Sequence, residues 1–306
     1  MKRNVVAVAV MLLSLAVTAS AQYTDWSAPV NLGPVVNSLV GFHSCVTASK
    51  DGVSLFYMAW DPSRDGWQDL YVSKRSSVND PWGPPQLLPN VNTIYAESCP
   101  ALSPDEHRLY FASDRPDGYG SLDLYVSRRQ DRRDDFGWEP PVNLGPVVNS
   151  LFVDGTPELF EDKTGTVLMY FNSDRPGGLG CWDTYASRMR HDDTFGPPEL
   201  VSELNSPFCD FGPAVRRDGL EVIFSSDRPG GLGYFDLWTS TRKSTKDPWS
   251  APVHLAVLSS PDYEGGKMCF SFDGLQIYFA SNRPGGYSSY GTDLWVATRE
   301  KMGGKR

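Results

Sequence analysis

A fivefold internal repeat constrains this chain more than any other feature. A repeat of this size cannot bury its own apolar face and must stack against copies of itself. The segments Trp26-Ser-Ala-Pro-Val-Asn-Leu, Trp82-Gly-Pro-Pro-Gln-Leu-Leu, Trp138-Glu-Pro-Pro-Val-Asn-Leu, Phe195-Gly-Pro-Pro-Glu-Leu-Val and Trp249-Ser-Ala-Pro-Val-His-Leu follow one another at spacings of 56, 56, 57 and 54 residues. Two further columns keep step. One is a loop reading Ser113-Asp-Arg-Pro, Ser173-Asp-Arg-Pro, Ser226-Asp-Arg-Pro and Ser281-Asn-Arg-Pro. The other is a strand beginning at Asp69, Asp123, Asp183, Asp236 and Asp293, reading Asp-Leu-Tyr-Val-Ser in its clearest copies.

Each repeat contains four short strand candidates separated by turn signals. In the second copy, strand A is expected near Cys99 to Ser103, B near Arg108 to Ala112, C near Leu124 to Arg128 and D near Pro140 to Leu144. Four short strands repeated at this period describe the blades of a β-propeller. No stretch outside the first 21 residues sustains a helical period. The last strand, Leu294 to Thr298, is of type C, and the first, Trp26 to Leu32, is of type D. The N-terminal strand is therefore expected to complete the last blade, which closes an all-β, five-bladed ring of four-stranded blades and removes an open sheet edge.

Ser103-Pro-Asp-Glu followed by Arg108-Leu-Tyr-Phe-Ala-Ser-Asp-Arg-Pro resembles the PD40 (TolB-like, WD40-like) β-propeller repeat family, and the other copies match more loosely. The resemblance spans residues 22–306 and implies the propeller fold. Such propellers serve as partner-binding modules, parts of hydrolases and envelope scaffolds, so it implies no single activity. Five repeats also depart from the six blades and extra N-terminal domain of TolB itself.

The first 21 residues have the anatomy of an export signal. Lys2 and Arg3 precede an apolar run from Val5 to Val17, and Ala19-Ser-Ala follows. The run is 13 residues long, against about 20 for a membrane span. Cleavage after Ala21 is expected to release a periplasmic or secreted protein acting as a monomer. The net charge of −9, without a long Lys/Arg cluster, disfavours nucleic acid as a partner. The cysteines are Cys45, Cys99, Cys181, Cys209 and Cys269, an odd number that leaves at least one thiol unpaired within a monomer. Cys45 and Cys99 sit at matching places in adjacent blades, where a disulfide and two buried thiols are both open readings.

Because strands alternate in direction, the D-to-A and B-to-C loops share one face. His43, Glu97, Asp154, Asp210 and Glu264 directly precede the innermost strands and are expected at the mouth of the central channel. Aromatics lie one or two residues earlier: Phe42, Tyr95, Phe152, Phe208 and Tyr263. Facing carboxylates are what glycosidic cleavage uses, which makes Glu97, Asp154, Asp210 and Glu264 the catalytic candidates if the chain is an enzyme. No cofactor or metal is expected, although the same chemistry leaves a calcium ion at Asp154 and Asp210 open as an alternative. A column found in every blade also has a structural reading, because a catalytic pocket needs different residues in different blades. The loop aspartates Asp114, Asp174 and Asp227 are read as pairing with the arginine beside each, the strand-C aspartates as loop caps, and the Trp column as packing between blades.

Departures from the repeat are the sharper guide. Blade 1 carries His43, Trp67 and Ala59-Trp60-Asp-Pro where the others have Ser-Asp-Arg-Pro; blade 3 has Trp182, and blade 5 a longer loop with Tyr290. With Tyr95, Phe152, Phe208 and Tyr263 these form the candidate ligand-binding set. The leading expectation is an exported binding module that presents this face to an extracellular polysaccharide or an envelope protein. The alternative is a glycoside hydrolase, and a scaffold without a pocket is the third reading.

Overall fold

The computed structural model describes residues 23–37, 41–62, 68–288 and 291–302. The stretch read as an export signal lies outside the described residues. The chain begins with β1 (Val30–Asn31). Blade 1 follows as β2 (His43–Ala48), β3 (Ser54–Ala59), β4 (Asp69–Lys74) and β5 (Gln86–Leu87), and blade 2 as β6 (Glu97–Leu102), β7 (Arg108–Ser113), β8 (Asp123–Arg128) and β9 (Val142–Asn143). Blade 3 is β10 (Asp154–Glu161), β11 (Val167–Ser173), β12 (Asp183–Arg188) and β13 (Glu199–Leu200). Blade 4 is β14 (Asp210–Val215), β15 (Glu221–Ser226), β16 (Asp236–Thr241) and β17 (Val253–His254), and β18 (Glu264–Phe270), β19 (Gln276–Ser281) and β20 (Asp293–Thr298) begin blade 5.

The sheets are five antiparallel four-stranded blades, and β1 pairs with β20 to supply the outer strand of the last blade. The N-terminal closure expected from the sequence is thus present. No helix of the described residues is long and apolar enough to cross a membrane.

The second strand of each blade is buried on both faces because neighbouring blades cover both sides. That is why Leu55-Phe56-Tyr57-Met58 and Val222-Ile223-Phe224 read as continuous apolar runs rather than alternating ones. The buried apolar residues fall into five clusters, one per blade junction. Each outer-strand aromatic packs back onto the preceding blade: Trp138 of blade 2 meets Phe56 of blade 1 edge-on, and Phe195 of blade 3 meets Tyr110 of blade 2. Trp82, Trp138, Trp249 and Trp26 also lie under the guanidinium groups of Arg75, Arg129, Arg242 and Arg299, about 4 Å from ring centre to cation. Blade 3 replaces both members of this contact, with Met189 and Phe195 in one cluster. The Trp column therefore packs between blades, as its recurrence suggests.

Two disulfides tie adjacent blades on the loop face: Cys45–Cys99 joins blades 1 and 2, and Cys181–Cys209 joins blades 3 and 4. Cys269 is free and buried.

Candidate ligand-binding site

Three rungs of residues around the channel build the loop face. The backbone N–H of each residue in the His43/Glu97/Asp154/Asp210/Glu264 column donates to the carbonyl of the residue just before the strand-C aspartate of the preceding blade. These acceptors are Thr292, Gln68, Leu122, Trp182 and Phe235, at 2.8 to 3.0 Å. The blades are thereby stitched at the mouth, and the five acceptor residues become the outermost rung.

The next two rungs come from a β-bulge that interrupts every innermost strand two residues after the column. The bulged residues Cys45, Cys99, Thr156, Gly212 and Gly266 all have left-handed backbone, with φ of 49°, 52°, 50°, 66° and 71°. Close approach explains the glycines. A Cβ on Gly212 would fall 2.2 Å from the Gly266 carbonyl oxygen, and one on Gly266 would fall 2.1 Å from Ser44 Oγ.

The carboxylates of the column do not point into the channel. Glu97, Asp154, Asp210 and Glu264 are fully buried, and each is paired with the arginine of its own blade's Ser-Asp-Arg-Pro or Ser-Asn-Arg-Pro loop: Arg115, Arg175, Arg228 and Arg283, at 2.5 to 3.0 Å. Their remaining lone pairs take the serine of that loop, such as Ser226 Oγ at 2.5 Å from Asp210, and the hydroxyl and N–H of Thr93, Ser150, Ser206 or Ser260. The expected placement at the channel mouth fails for a physical reason. A desolvated carboxylate is tolerable only with charge pairing and full hydrogen bonding, and the repeat supplies both inside the blade. Burial pushes the Glu97 carboxyl above its ordinary range, against the pull of Thr93 and Arg115.

A calcium ion would have to displace donors already in place at Asp154 and Asp210. Their oxygens face N–H, O–H and guanidinium donors rather than open space, in separate blades. No group of three or more His, Cys, Asp or Glu among the described residues gathers to hold an ion.

The loop aspartates also differ from expectation. Asp114, Asp174 and Asp227 do not pair with the neighbouring arginines. They accept the backbone N–H of Ala96, Val153 and Cys209, and Asn282 does the same for Tyr263. Four of the strand-C aspartates do cap their B-to-C loops. Asp123 accepts the N–H groups of Tyr119 and Gly120, Asp183 those of Leu179 and Gly180, Asp236 those of Leu232 and Gly233, and Asp293 those of Tyr287 and Ser288. The loop beside Asp69 lies largely outside the described residues.

Blade 1 departs from this arrangement as a set. His43, Ala59 and Asp61 occupy the places held elsewhere by the acid, the serine and the arginine. Burial lowers the His43 imidazole to about 4, with Asp293 and the Thr292 backbone pulling the other way. His43 is buried beside the Tyr57 ring.

What remains at the mouth is a cavity of about 420 Å³. Trp182, Leu122 and Gln68 come from the outermost rung, Phe211 and Ser98 from the next, and Phe42 and Tyr263 from the loop ends; the Cys45–Cys99 disulfide forms part of the wall. One side is a relay of edge-to-face rings, Trp182–Phe211–Phe235–Tyr263, with centres 5.0 to 5.7 Å apart. This network fixes the lining rings of Trp182, Phe211 and Tyr263 before any ligand arrives. The polar groups are all neutral. Asn172 is fully engaged, donating to the Asp210 carbonyl and Thr184 Oγ1 while accepting from Gly212 N–H and the Thr156 hydroxyl. Tyr263 accepts the N–H of Gly266, and burial pushes its phenol up to about 12.

Of the ligand candidates read from sequence, Trp182 and Tyr263 line this cavity. Tyr95, Phe152 and Phe208 stand exposed on the surrounding D-to-A loops, Trp60 stacks on Phe42 behind the wall, and His43 is enclosed. Trp67 and Tyr290 lie outside the described residues. Sequence reasoning missed Gln68, Leu122, Phe211 and Met58. A signal for the first two was present: the position before the strand-C aspartate reads Gln68, Leu122, Trp182, Phe235 and Thr292, a variable place inside a constant motif.

The fold and this cavity define a class: a five-bladed propeller with an aromatic pocket at one mouth of its channel. No protein-family model matches the chain, and no curated protein matches it, so the PD40 resemblance rests on the motifs alone. Solved structures do share the fold. The catalytic domain of a GH62 α-L-arabinofuranosidase from Coprinopsis cinerea superposes with a TM-score of 0.57 at 15% identity, over 91% of this chain and 98% of that one. An endo-arabinase from Bacteroides thetaiotaomicron gives 0.56 at 16% identity, over 92% and 100%. An α-L-arabinofuranosidase from Podospora anserina, solved with cellotriose, gives 0.55 at 12% identity, over 92% and 98%. At these identities the likeness is one of fold.

Proposed function

We propose that this protein binds a glycan in the loop-face cavity and acts as an exported carbohydrate-binding propeller. The observation that carries the reading is the cavity itself: ring faces held in place by edge-to-face packing, with neutral hydrogen-bonding groups between them. Sugar rings present apolar C–H faces to aromatics and hydroxyls to neutral polar groups, and a preorganised pocket limits the entropy lost on binding. The arabinose-directed neighbours support a glycan over an envelope protein. Two disulfides suit an exported setting.

A second reading, hydrolysis of the bound glycan, is favoured by those same neighbours. It needs two carboxylates flanking the scissile bond, and the described residues that line the cavity include none. One experiment separates the readings. The full chain is incubated with arabino-, xylo- and cello-oligosaccharides, with binding followed by tryptophan fluorescence and product release by mass spectrometry. Saturable binding without product supports the binding module. Product released by the purified, folded chain supports the hydrolase, and neither signal across the panel overturns the glycan reading.

A further inference from the structure

The cavity wall contains chemistry that glycan binding does not use. Cys45 and Cys99, joined as a disulfide, occupy the bulge position of adjacent innermost strands, where two of the five blades have glycine. Both therefore hold a left-handed backbone that a side chain disfavours, a conformation that clusters at functional sites. The two sulfurs are not equivalent. The backbone N–H of Lys267 donates to Cys45 Sγ at 3.3 Å, and the Ser44 hydroxyl lies 3.9 Å from it. No hydrogen bond reaches Cys99 Sγ among the described residues. Donors aimed at one sulfur stabilise negative charge there, and a better-stabilised thiolate leaves faster in disulfide exchange.

We propose that Cys45–Cys99 is a thiol–disulfide exchange site in the cavity wall, opened by a small thiol that enters the cavity and attacks Cys99. The incoming thiolate forms a bond to Cys99 Sγ. The Cys45–Cys99 bond breaks, and its electron pair stays on Cys45 Sγ as a thiolate, stabilised by the Lys267 N–H and Ser44 O–H donors. A second thiol then attacks the adduct, releasing Cys99 as a thiolate and leaving the two small thiols joined as a disulfide. Two electrons pass to the protein, and the two thiol protons end on the two cysteines. The site shares the cavity with the glycan reading but depends only on the cavity being open, so either can fail without the other.

The protein provides its own comparisons. Cys181–Cys209 is a disulfide on the loop rim whose sulfurs receive no hydrogen bond among the described residues. Cys269 is buried, and desolvation raises its thiol to about 12. The test uses the oxidised full-length chain at neutral pH with graded glutathione. Acid quenching, alkylation and peptide mass mapping follow, with circular dichroism confirming that the fold persists. The expected result is glutathione on Cys99 and an alkylated Cys45 in the folded protein, with the adduct on Cys99 exceeding that on Cys45. Adducts confined to Cys181 and Cys209, opening of the Cys45–Cys99 pair only on unfolding, or adducts mainly on Cys45 would each overturn the proposal.

Discussion

Arg228→Met tests whether the acidic column is the propeller's internal wiring. The guanidinium contacts Asp210 Oδ1 at 2.5 Å, Ser226 Oγ at 3.0 Å and the Leu204 carbonyl at 2.7 Å. Methionine keeps an apolar stem against Phe224 and Trp238 but removes the charge. Asp210 would retain Ser206 and Ser226 as donors, yet its charge would stand at zero exposure without a cation. Breaking a buried pair from one side costs about 3–5 kcal/mol. For a domain of this size that lowers the melting temperature by on the order of 10 °C. The double variant Arg228→Met/Asp210→Asn removes the orphaned charge and is expected to be more stable than Arg228→Met alone. Urea unfolding of the wild type, both singles and the double closes the cycle. A cost for Arg228→Met within about 1 kcal/mol, the range of exposed ion pairs, would refute the reasoning. So would a double variant less stable than both singles.

Three further outcomes follow from the same structure. His43 titrates near 4 when folded against about 6.5 when unfolded. The unfolded chain therefore binds the extra proton first, and stability present above pH 6.5 is lost as pH falls towards 4. The contribution is roughly 3 kcal/mol at 1.36 kcal/mol per pH unit, and His43→Gln should remove that part of the slope in denaturation curves from pH 7 to 4. Trp138→Ala empties a fully buried site between blades 1 and 2 and should cost about 3–5 kcal/mol by denaturant titration. Because the column oxygens face donors, a calcium chelator should leave the melting temperature unchanged. A fall on chelation, reversed by added calcium, would show a bound ion that the fold account omits.

The architecture was legible because a propeller advertises itself locally. Trp138 and its counterparts, the strand-C aspartates and the N-terminal type-D strand each recur at a fixed offset, and each does in the structure what its recurrence suggests. The site was less legible, because burial and side-chain direction are not written in spacing. Glu97 and Asp210 looked like channel-mouth acids since they precede the innermost strand, yet the arginine that claims each lies 18 residues later in the same blade. The joint replacement in blade 1 of acid, serine and arginine by His43, Ala59 and Asp61 was the available clue that the three form one unit. The bulge that turns Cys45 and Cys99 into the cavity wall has no sequence signature shared by all five blades, since Cys, Thr and Gly all occupy it.

The most direct test of the glycan-binding account is calorimetric titration of one neutral oligosaccharide that binds the wild type, repeated with Trp182→Ala and Leu151→Ala. Trp182 lines the cavity, whereas Leu151, 79% exposed on a neighbouring loop, does not. The account predicts that Trp182→Ala weakens binding by about tenfold or more, equivalent to at least about 1.4 kcal/mol, while Leu151→Ala stays close to wild type. Equal affinities for the wild type and Trp182→Ala, or a larger loss from Leu151→Ala, would place the ligand elsewhere and contradict it.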